Sequence, residues 1–189
     1  QVIPLINRRY KTGALPGKAG ELPPFLRLSA VFPQSFGCDF IVAILQSNKG
    51  EWSSLSKLYE DPPASTEQIL HPEKYWAKRD VPTLITLPSL GEGWEPIVDN
   101  VHGEFTLRMM VGNQAAEGWD GDRYHLYERN GHLSSTWYSR WDSELDAREF
   151  FDEVKTLLSK KYTLGQGDPD RTHFTKGSET TAIVERRKQ

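Results

Sequence analysis

The sequence has few cysteines, no long apolar run and no large excess of either charge. Each of these shortages excludes one kind of structure or partner. Cys38 is the only cysteine among the 189 residues, so an internal disulfide framework is excluded. The longest uninterrupted apolar run, residues 40–45, is too short to cross a bilayer, which predicts no membrane span. A net charge of −3 gives no overall attraction to nucleic acid, so no nucleic-acid partner is expected.

Common catalytic and nucleotide-binding motifs are also missing. The sequence contains no H-E-x-x-H helix, no G-x-S-x-G elbow, and neither a G-x-x-x-x-G-K-[ST] nor a G-x-G-x-x-G loop. Its five histidines do not have the spacing of a zinc site. The first residues lack the apolar core and cleavage site of a signal peptide. We therefore expect no catalytic residue, no metal site and no cofactor in this chain.

The composition is that of a soluble globular protein, with 37% hydrophobic and 11% aromatic residues. Residues 1–34 hold five of the twelve prolines together with three glycines, which predicts an irregular arm. Residues 35–189 are predicted to form a single α+β domain, with a helical part over 35–80 and a hairpin-rich part over 81–189.

In the first half, apolar residues recur at helical spacing from Phe36 and stop at Lys49-Gly50, which predicts a helix. A second helical stripe follows over residues 52–59. Ser65, with Gln68 three residues later, has the pattern of a capping box that opens a short helix.

The second half is predicted to contain two antiparallel hairpins with a helix between them. The residues flanking Asn130-Gly131 alternate between polar and apolar, and this dipeptide is a strong signal for a two-residue turn. Ser143 is expected to cap a long amphipathic helix, and strands are predicted over 171–176 and 179–186. The predicted fold class is therefore α+β: a helical first half, then an antiparallel ββαββ sheet with one long helix packed on it.

Short elements are also expected earlier in this half: an extended segment over 83–87, a helix over 103–111 and a helical turn at 115–117.

Two polar segments are the candidates for a binding site: residues 62–75, and residues 118–124 together with residues 141–142. One interpretation makes Asp120, Asp122 and Asp142 a site for a cation or polar ligand beside Trp119. The favoured interpretation makes the tryptophans core or strand-ladder residues and Arg123 the buried partner of a carboxylate, so that Arg123→Ala would destabilise the fold by about 3 kcal/mol. The candidate binding residues are His71, Glu73, Trp119, Asp120, Asp122, Arg123 and Asp142.

Residues 59–75, YEDPPASTEQILHPEKY, resemble the Y-x-x-P-P-x-S-T-E-Q-[IV]-L-H-P-E-K-Y block of a largely uncharacterised family of mostly exported bacterial proteins. Further blocks match at residues 103–105, 115–124 and 141–150, and the resemblance covers about residues 30–185. Longer members of the family resemble zinc metallopeptidases and carry the H-E-x-x-H helix before the matched part. The resemblance implies a C-terminal half without the metal-binding segment, in a protein that is secreted or lies in the cell envelope.

Three functional hypotheses follow. The first is a non-catalytic, peptidase-like module that acts as a structural or protein-binding subunit and meets a protein partner through residues 1–34. The second is a fragment of a zinc metallopeptidase whose metal-binding half is absent from this chain. The third is a binder of carbohydrate or small ligands that uses Trp119, Trp137 and Trp141 as stacking surfaces, which requires those rings to be exposed.

Overall fold

The computed structural model describes residues 21–165, 170–176 and 179–185. The chain divides into two compact units, 1–81 (unit 1) and 82–189 (unit 2). The division lies one residue from the point where the sequence changes from helical to hairpin-rich patterning. The predicted arm over 1–34 overlaps the described residues only from residue 21 onward.

The described part of unit 1 is helical, in agreement with the sequence. Its elements are α1 (Pro24–Ser47), a 3-10 helix (Trp52–Leu55), α2 (Ser56–Glu60), α3 (Thr66–Leu70) and α4 (Glu73–Trp76).

Helix α1 corrects the predicted extent of the irregular arm, because it begins at Pro24 rather than after residue 34. Proline is well tolerated in the first turn of a helix, where its missing N–H would have no partner. Pro33 lies inside α1, where it removes one backbone hydrogen bond. The apolar residues on both sides of Pro33 maintain the helix through packing. Proline count alone therefore misplaces this boundary.

Helix α1 also bears on the expectation that the chain has no membrane span. An 18-residue window of α1 has a mean hydropathy of 1.6, and only 28% of that window is buried. By length and composition the helix could cross a bilayer, although its apolar residues never form one long uninterrupted run. The core helix of a soluble protein meets the same criterion, so the expectation stays a prediction.

The capping box at Ser65 is confirmed. The Ser65 hydroxyl accepts a hydrogen bond from the backbone N–H of Gln68 at 3.2 Å. The Gln68 side chain reaches back to the N–H of Ala64, one residue before the cap, at 2.8 Å. Gln68 is fully buried, so the same side chain closes the start of α3 and contributes to the interior.

Unit 2 combines helices with two antiparallel sheets, which confirms the α+β class. Its elements are β1 (Glu95–Asn100), α5 (Gly103–Val111), α6 (Asn113–Ala116), β2 (Trp119–Arg129), β3 (His132–Trp141), α7 (Glu144–Ser159), β4 (Thr163–Leu164), β5 (Arg171–Lys176) and β6 (Glu179–Glu185). The predicted hairpins are β2–β3 and β5–β6. They lie in separate three-stranded sheets, of order β1-β2-β3 and β4-β5-β6.

The β2–β3 hairpin turns where the sequence predicts. Asn130 and Gly131 have φ angles of 52° and 78°, as a type I′ turn requires. At the far end the register shifts between Trp119 and Gly121, so Asp120 occupies a bulge. Because of this extra residue, Trp119 and Asp122 lie on the same face of the sheet.

The two faces of the β1-β2-β3 sheet are covered by different parts of the chain. On the inner face, Trp119 and Trp141 pack with Leu107 and Phe150 in the main core. The outer face carries the extended segment 82–90, which the sequence predicts to be extended over 83–87. The N–H of Thr83 donates to the carbonyl of the bulged Asp120 at 2.6 Å.

Candidate functional site

The polar block over residues 59–75 folds back on itself within unit 1. Lys74 Nζ lies 2.6 Å from the buried Glu67 carboxylate and 3.0 Å from Asp80. The Gln68 side chain donates to the carbonyl of Asp80, and the Tyr75 hydroxyl donates to the carbonyl of Asp61. These contacts tie the short helices α3 and α4 to the chain on either side, so the block stabilises unit 1.

His71 and Glu73 belong to this same unit, whereas the other five candidate residues lie in unit 2. The His71 Nδ1 atom is 3.8 Å from a carboxylate oxygen of Glu73, whose side chain is largely exposed. The pair is separated by more than a normal hydrogen bond. It therefore adds little to the argument for a ligand site.

The carboxylate of Asp122 is the most fully engaged group among the candidates. It is 4% exposed and accepts four N–H bonds at 2.9–3.1 Å. The donors are the backbone N–H groups of His102 and Gly103 and the indole N–H groups of Trp119 and Trp137. We call this arrangement the Asp122 clamp. It caps the first turn of α5 from a distant strand, so its role is structural.

His102 closes one side of the Asp122 clamp. Its ring stacks on Tyr124 with a centroid distance of 4.2 Å and meets Trp137 edge-on at 5.1 Å. Burial lowers the pKa of His102 below the ordinary value of 6.5, although the negative charge of Asp122 opposes the shift. The ring is therefore neutral in the folded protein near neutral pH.

Acidification is expected to weaken the fold through His102. Because its pKa is lower in the folded state, the unfolded chain binds a proton more readily once the pH falls below about 6.5. The free energy of unfolding should therefore fall with pH from this point down to the folded-state pKa. Urea unfolding measured across this range should show a shallower decline in His102→Gln than in the parent protein. Identical pH dependence in the two proteins would contradict this assignment.

Arg123 is paired with a carboxylate as expected, but the pair is exposed to solvent and not buried as the sequence predicts. Its guanidinium binds the Asp99 carboxylate through two hydrogen bonds, at 2.5 and 2.7 Å. Both side chains are substantially exposed, at 38% and 46%. The expected loss of about 3 kcal/mol on replacement belongs to a buried pair, and it does not apply here. The hydrogen bond from Arg123 lowers the pKa of Asp99 below its ordinary value.

His125 connects the Arg123–Asp99 pair on the outer face to a buried residue of the sheet. Its Nε2 lies 3.2 Å from the Asp99 carboxylate, and its Nδ1 lies 2.9 Å from the hydroxyl of the buried Tyr127. That hydroxyl in turn donates to the carbonyl of Pro88 at 3.3 Å. Both ring nitrogens are thus occupied by groups of the protein itself. The chain of contacts fastens the extended segment to the sheet.

The remaining acidic candidates do not converge on one site. Asp120 accepts from the Thr83 hydroxyl at 2.8 Å and lies 3.3 Å from the Arg140 guanidinium. Asp142 is exposed, and its backbone N–H donates to the carbonyl of Gly118 at 2.7 Å. The bulge at Asp120 separates these groups from the Asp122 clamp. A common cation site among these three aspartates is therefore not supported by the geometry.

Two of the three tryptophans expected to form a stacking surface lie in the interior, and the third, Trp137, is half-buried. Trp119 and Trp141 are 2% and 7% exposed, and Trp137 donates its indole N–H to Asp122 at 3.0 Å. The buried rings of Trp119 and Trp141 have no free face to offer a sugar. Trp119 and Trp141 therefore do not form the exposed stacking surface that the carbohydrate-binding hypothesis requires, as the favoured interpretation of the tryptophans as core or strand-ladder residues expects.

The outer edge of β3 is a feature of unit 2 that these contacts do not explain. Within the described part of the chain, β3 pairs with β2 on one side only, which leaves alternate backbone N–H and C=O groups without strand partners along its ten residues. Its exposed side chains include Leu133 at 64%, Tyr138 at 41% and Arg140 at 48%. We call this feature the β3 edge.

The opposite edge of the same sheet is protected. Strand β1 is only six residues long, contains Pro96 and has a register shift between Pro96 and Val98. Proline and bulges are common devices against unwanted strand pairing. Strand β3 contains no proline or lysine and no acidic residue. It therefore lacks these protective features and can pair with a further strand more readily than β1 can.

Sequence reasoning missed Asp99, Tyr127 and the β3 edge. Strand β1 was not predicted because Pro96 and its polar neighbours mask the strand pattern, and Asp99 lies on that strand. The β3 edge could have been anticipated in part, since the hairpin itself was predicted. Whether another strand covers it depends on tertiary topology.

A family model described as a domain of unknown function, DUF8575, matches residues 93–189. The matched region covers just over half of the chain and includes the described strands of both sheets in unit 2. No curated protein and no solved structure matches the chain. None of these findings links it to zinc metallopeptidases, so that resemblance stays a prediction.

Proposed function

We propose a non-catalytic, protein-binding function for this chain, which belongs to the DUF8575 family of domains of unknown function. The matched region binds an extended segment of another protein, which adds to the β1-β2-β3 sheet along the β3 edge. The observation that carries the proposal is the ten-residue edge of β3, open among the described residues, beside a protected β1. Strand addition is a common mode of peptide recognition and draws its affinity from main-chain hydrogen bonds.

The hairpin is well suited to receive a strand because both of its faces are fixed. The Asp122 clamp holds β2 and β3 to α5, and the Tyr127 contact holds the outer segment in place. A rigid edge loses little conformational entropy on binding. The non-catalytic part of the proposal is supported by the contacts of Asp122, Arg123 and His125, whose polar atoms are used within the fold.

Charge and exposed apolar surface indicate the chemistry of the partner. Strand β3 bears Arg140 and no acidic residue, and it exposes Leu133 and Tyr138. Cross-strand pairs of opposite charge and of apolar residues stabilise sheets. The partner segment therefore carries an apolar residue opposite Tyr138 and an acidic residue opposite Arg140, two positions apart on the same face of the sheet. A second copy of this chain fits less well, because another β3 strand would offer Arg140 no acidic residue.

Selection from a displayed library of random peptides tests this function on the full chain. Enriched peptides should share an apolar and an acidic residue two positions apart, and their binding should protect the β3 backbone amides from hydrogen exchange. Tyr138→Asp should abolish this binding, whereas the matched variant Ile97→Asp, which alters the exposed side of β1, should retain it. Protection confined to other elements, or equal binding by both variants, would overturn the proposal.

Two further measurements separate the alternatives. Sedimentation of the chain alone would reveal a dimer, and a dimer lost in Tyr138→Asp would assign the β3 edge to a second copy. Incubation of the selected peptides with the protein and zinc, followed by mass spectrometry, tests the peptidase hypothesis. Hydrolysis that requires the folded chain would overturn the non-catalytic part. The expected protein partner at residues 1–34 and the expected secreted or cell-envelope location both stay predictions.

A further inference from the structure

We propose that protonation of His125 fastens the outer segment (residues 82–90) to the sheet, so that this segment is a pH-sensitive latch. The contact that closes the latch joins the Tyr127 hydroxyl to the carbonyl of Pro88, at 3.3 Å. The same hydroxyl lies 2.9 Å from Nδ1 of His125. Leu87, the residue before Pro88, is 8% exposed, so the latch controls whether an apolar residue stays covered.

The single proton of the Tyr127 hydroxyl is the basis of the latch. A tyrosine hydroxyl donates one hydrogen bond, so Tyr127 donates either to the Pro88 carbonyl or to an unprotonated Nδ1 of His125. Neutral histidine carries only one N–H. If that proton is on Nε2, which lies 3.2 Å from the Asp99 carboxylate, Nδ1 takes the Tyr127 proton and the Pro88 carbonyl loses its donor. If it is on Nδ1, the lone pair of Nε2 faces the negative charge of Asp99, which is unfavourable.

The protonated form of His125 removes this conflict. Its Nε2–H faces Asp99, its Nδ1–H donates to the Tyr127 oxygen, and the Tyr127 proton is then free for Pro88. Only in this form does each contact of the chain join one donor to one acceptor. Pro88 is exposed, so after release its carbonyl binds water. Loss of the proton therefore opens the outer segment at its Pro88 end.

The surroundings of His125 assign the pH response to this residue. Strand β1 contributes Asp99, β2 contributes Arg123 and Tyr127, and β3 contributes Tyr138 opposite Arg123. The outer segment contains no ionisable residue. The hydrogen bond from Arg123 lowers the pKa of Asp99, so this carboxylate stays charged near neutral pH. Histidine is the side chain that ordinarily changes its charge between about pH 5 and 8.

The other end of the outer segment is held by contacts that do not involve His125. The backbone N–H of Thr83 donates to the carbonyl of Asp120 at 2.6 Å, and its hydroxyl donates to the Asp120 carboxylate at 2.8 Å. These two bonds remain when the Tyr127 contact is lost. The segment therefore opens at one end only and stays attached to the sheet at Thr83.

A nuclear magnetic resonance titration of the full chain tests the latch. The ring nitrogen shifts of His125 report its protonation, and the carbonyl carbon shift of Pro88 reports whether that carbonyl accepts a hydrogen bond. Both should change with the same midpoint between about pH 5 and 8. Tyr127→Phe keeps the buried ring and removes the hydroxyl. In this variant the Pro88 shift should be independent of pH while His125 still titrates.

Thiol labelling measures the release itself. Leu87→Cys in a Cys38→Ser background carries one thiol, and its labelling rate is divided by that of the urea-unfolded chain at the same pH. The corrected rate should be about fivefold higher near pH 8 than near pH 5.5, which is the effect of one hydrogen bond. Acid unfolding through His102 would give the opposite direction. His125→Gln should remove the difference, and the matched variant His102→Gln should retain it.

Circular dichroism checks that each variant is folded, and either Tyr127→Phe or His125→Gln is sufficient for the test. A Pro88 shift that stays constant while His125 titrates would overturn the inference. So would a pH response of Pro88 that survives in either variant, or labelling at the higher pH that is equal or slower.

Discussion

Replacement of Asp122 by alanine is expected to lower the free energy of unfolding by about 3–5 kcal/mol. The substitution leaves four buried N–H donors without their acceptor, two from the start of α5 and two from Trp119 and Trp137. Water has little access to this site, since Asp122 is 4% exposed. Urea denaturation monitored by tryptophan fluorescence measures the loss and reports on the released indole rings.

The neighbouring residue supplies the control for this experiment. Arg123 points to the opposite face, and its pair with Asp99 is exposed, so Arg123→Ala should leave the melting temperature close to that of the parent protein. Surface ion pairs in water contribute little because solvent screens both charges. If Asp122→Ala were as stable as Arg123→Ala, the Asp122 clamp would not have the structural role assigned to it.

Gly121→Ala is expected to destabilise the protein by about 3 kcal/mol, because a side chain at this position collides with the outer segment. A Cβ atom would overlap the carbonyl oxygen of Thr83 and lie 3.2 Å from its backbone nitrogen. Backbone atoms cannot rotate aside as a flexible side chain can. The segment 82–90 must therefore move off the sheet, which uncovers Leu87. Hydrogen exchange should show early loss of protection at the Thr83 amide.

Gly91→Ala separates the collision from the effect of backbone conformation. Gly91 has a φ of 107°, and no described neighbour lies within 4 Å of the place that an alanine methyl group would occupy. Alanine there meets backbone strain but no collision. We expect a loss of about 1 kcal/mol, with the Thr83 amide still protected. Equal losses in the two variants would show that close packing of the outer segment does not limit position 121.

Local signals in the sequence are reliable where one short stretch determines its own structure. The turn at Asn130-Gly131 is predictable because few residues adopt positive φ at both central positions. The cap at Ser143 is predictable because its hydroxyl accepts the N–H of Asp146, three residues later. The start of α1 at Pro24 was missed because packing can preserve a helix that contains proline.

The candidate site was predicted only in part, because contacts between strands depend on register. The sequence places Asp122 and Arg123 together in one polar cluster, yet alternate side chains of a strand point to opposite faces. The bulge at Asp120 then sets which face each one occupies. Asp99, the actual partner of Arg123, lies on β1, which the sequence does not predict because Pro96 interrupts the strand pattern.

By itself, the sequence determined the α+β class, the hairpin and the caps. These features rest on hydrophobic period and turn chemistry, which act over a few residues. Tertiary structure decided that the hairpins belong to separate sheets, that Asp122 is buried while Arg123 is exposed, and that no other described strand covers the β3 edge. Such features arise from contacts between residues far apart in the chain, whose energies depend on burial and register. The pattern of a single strand does not contain that information.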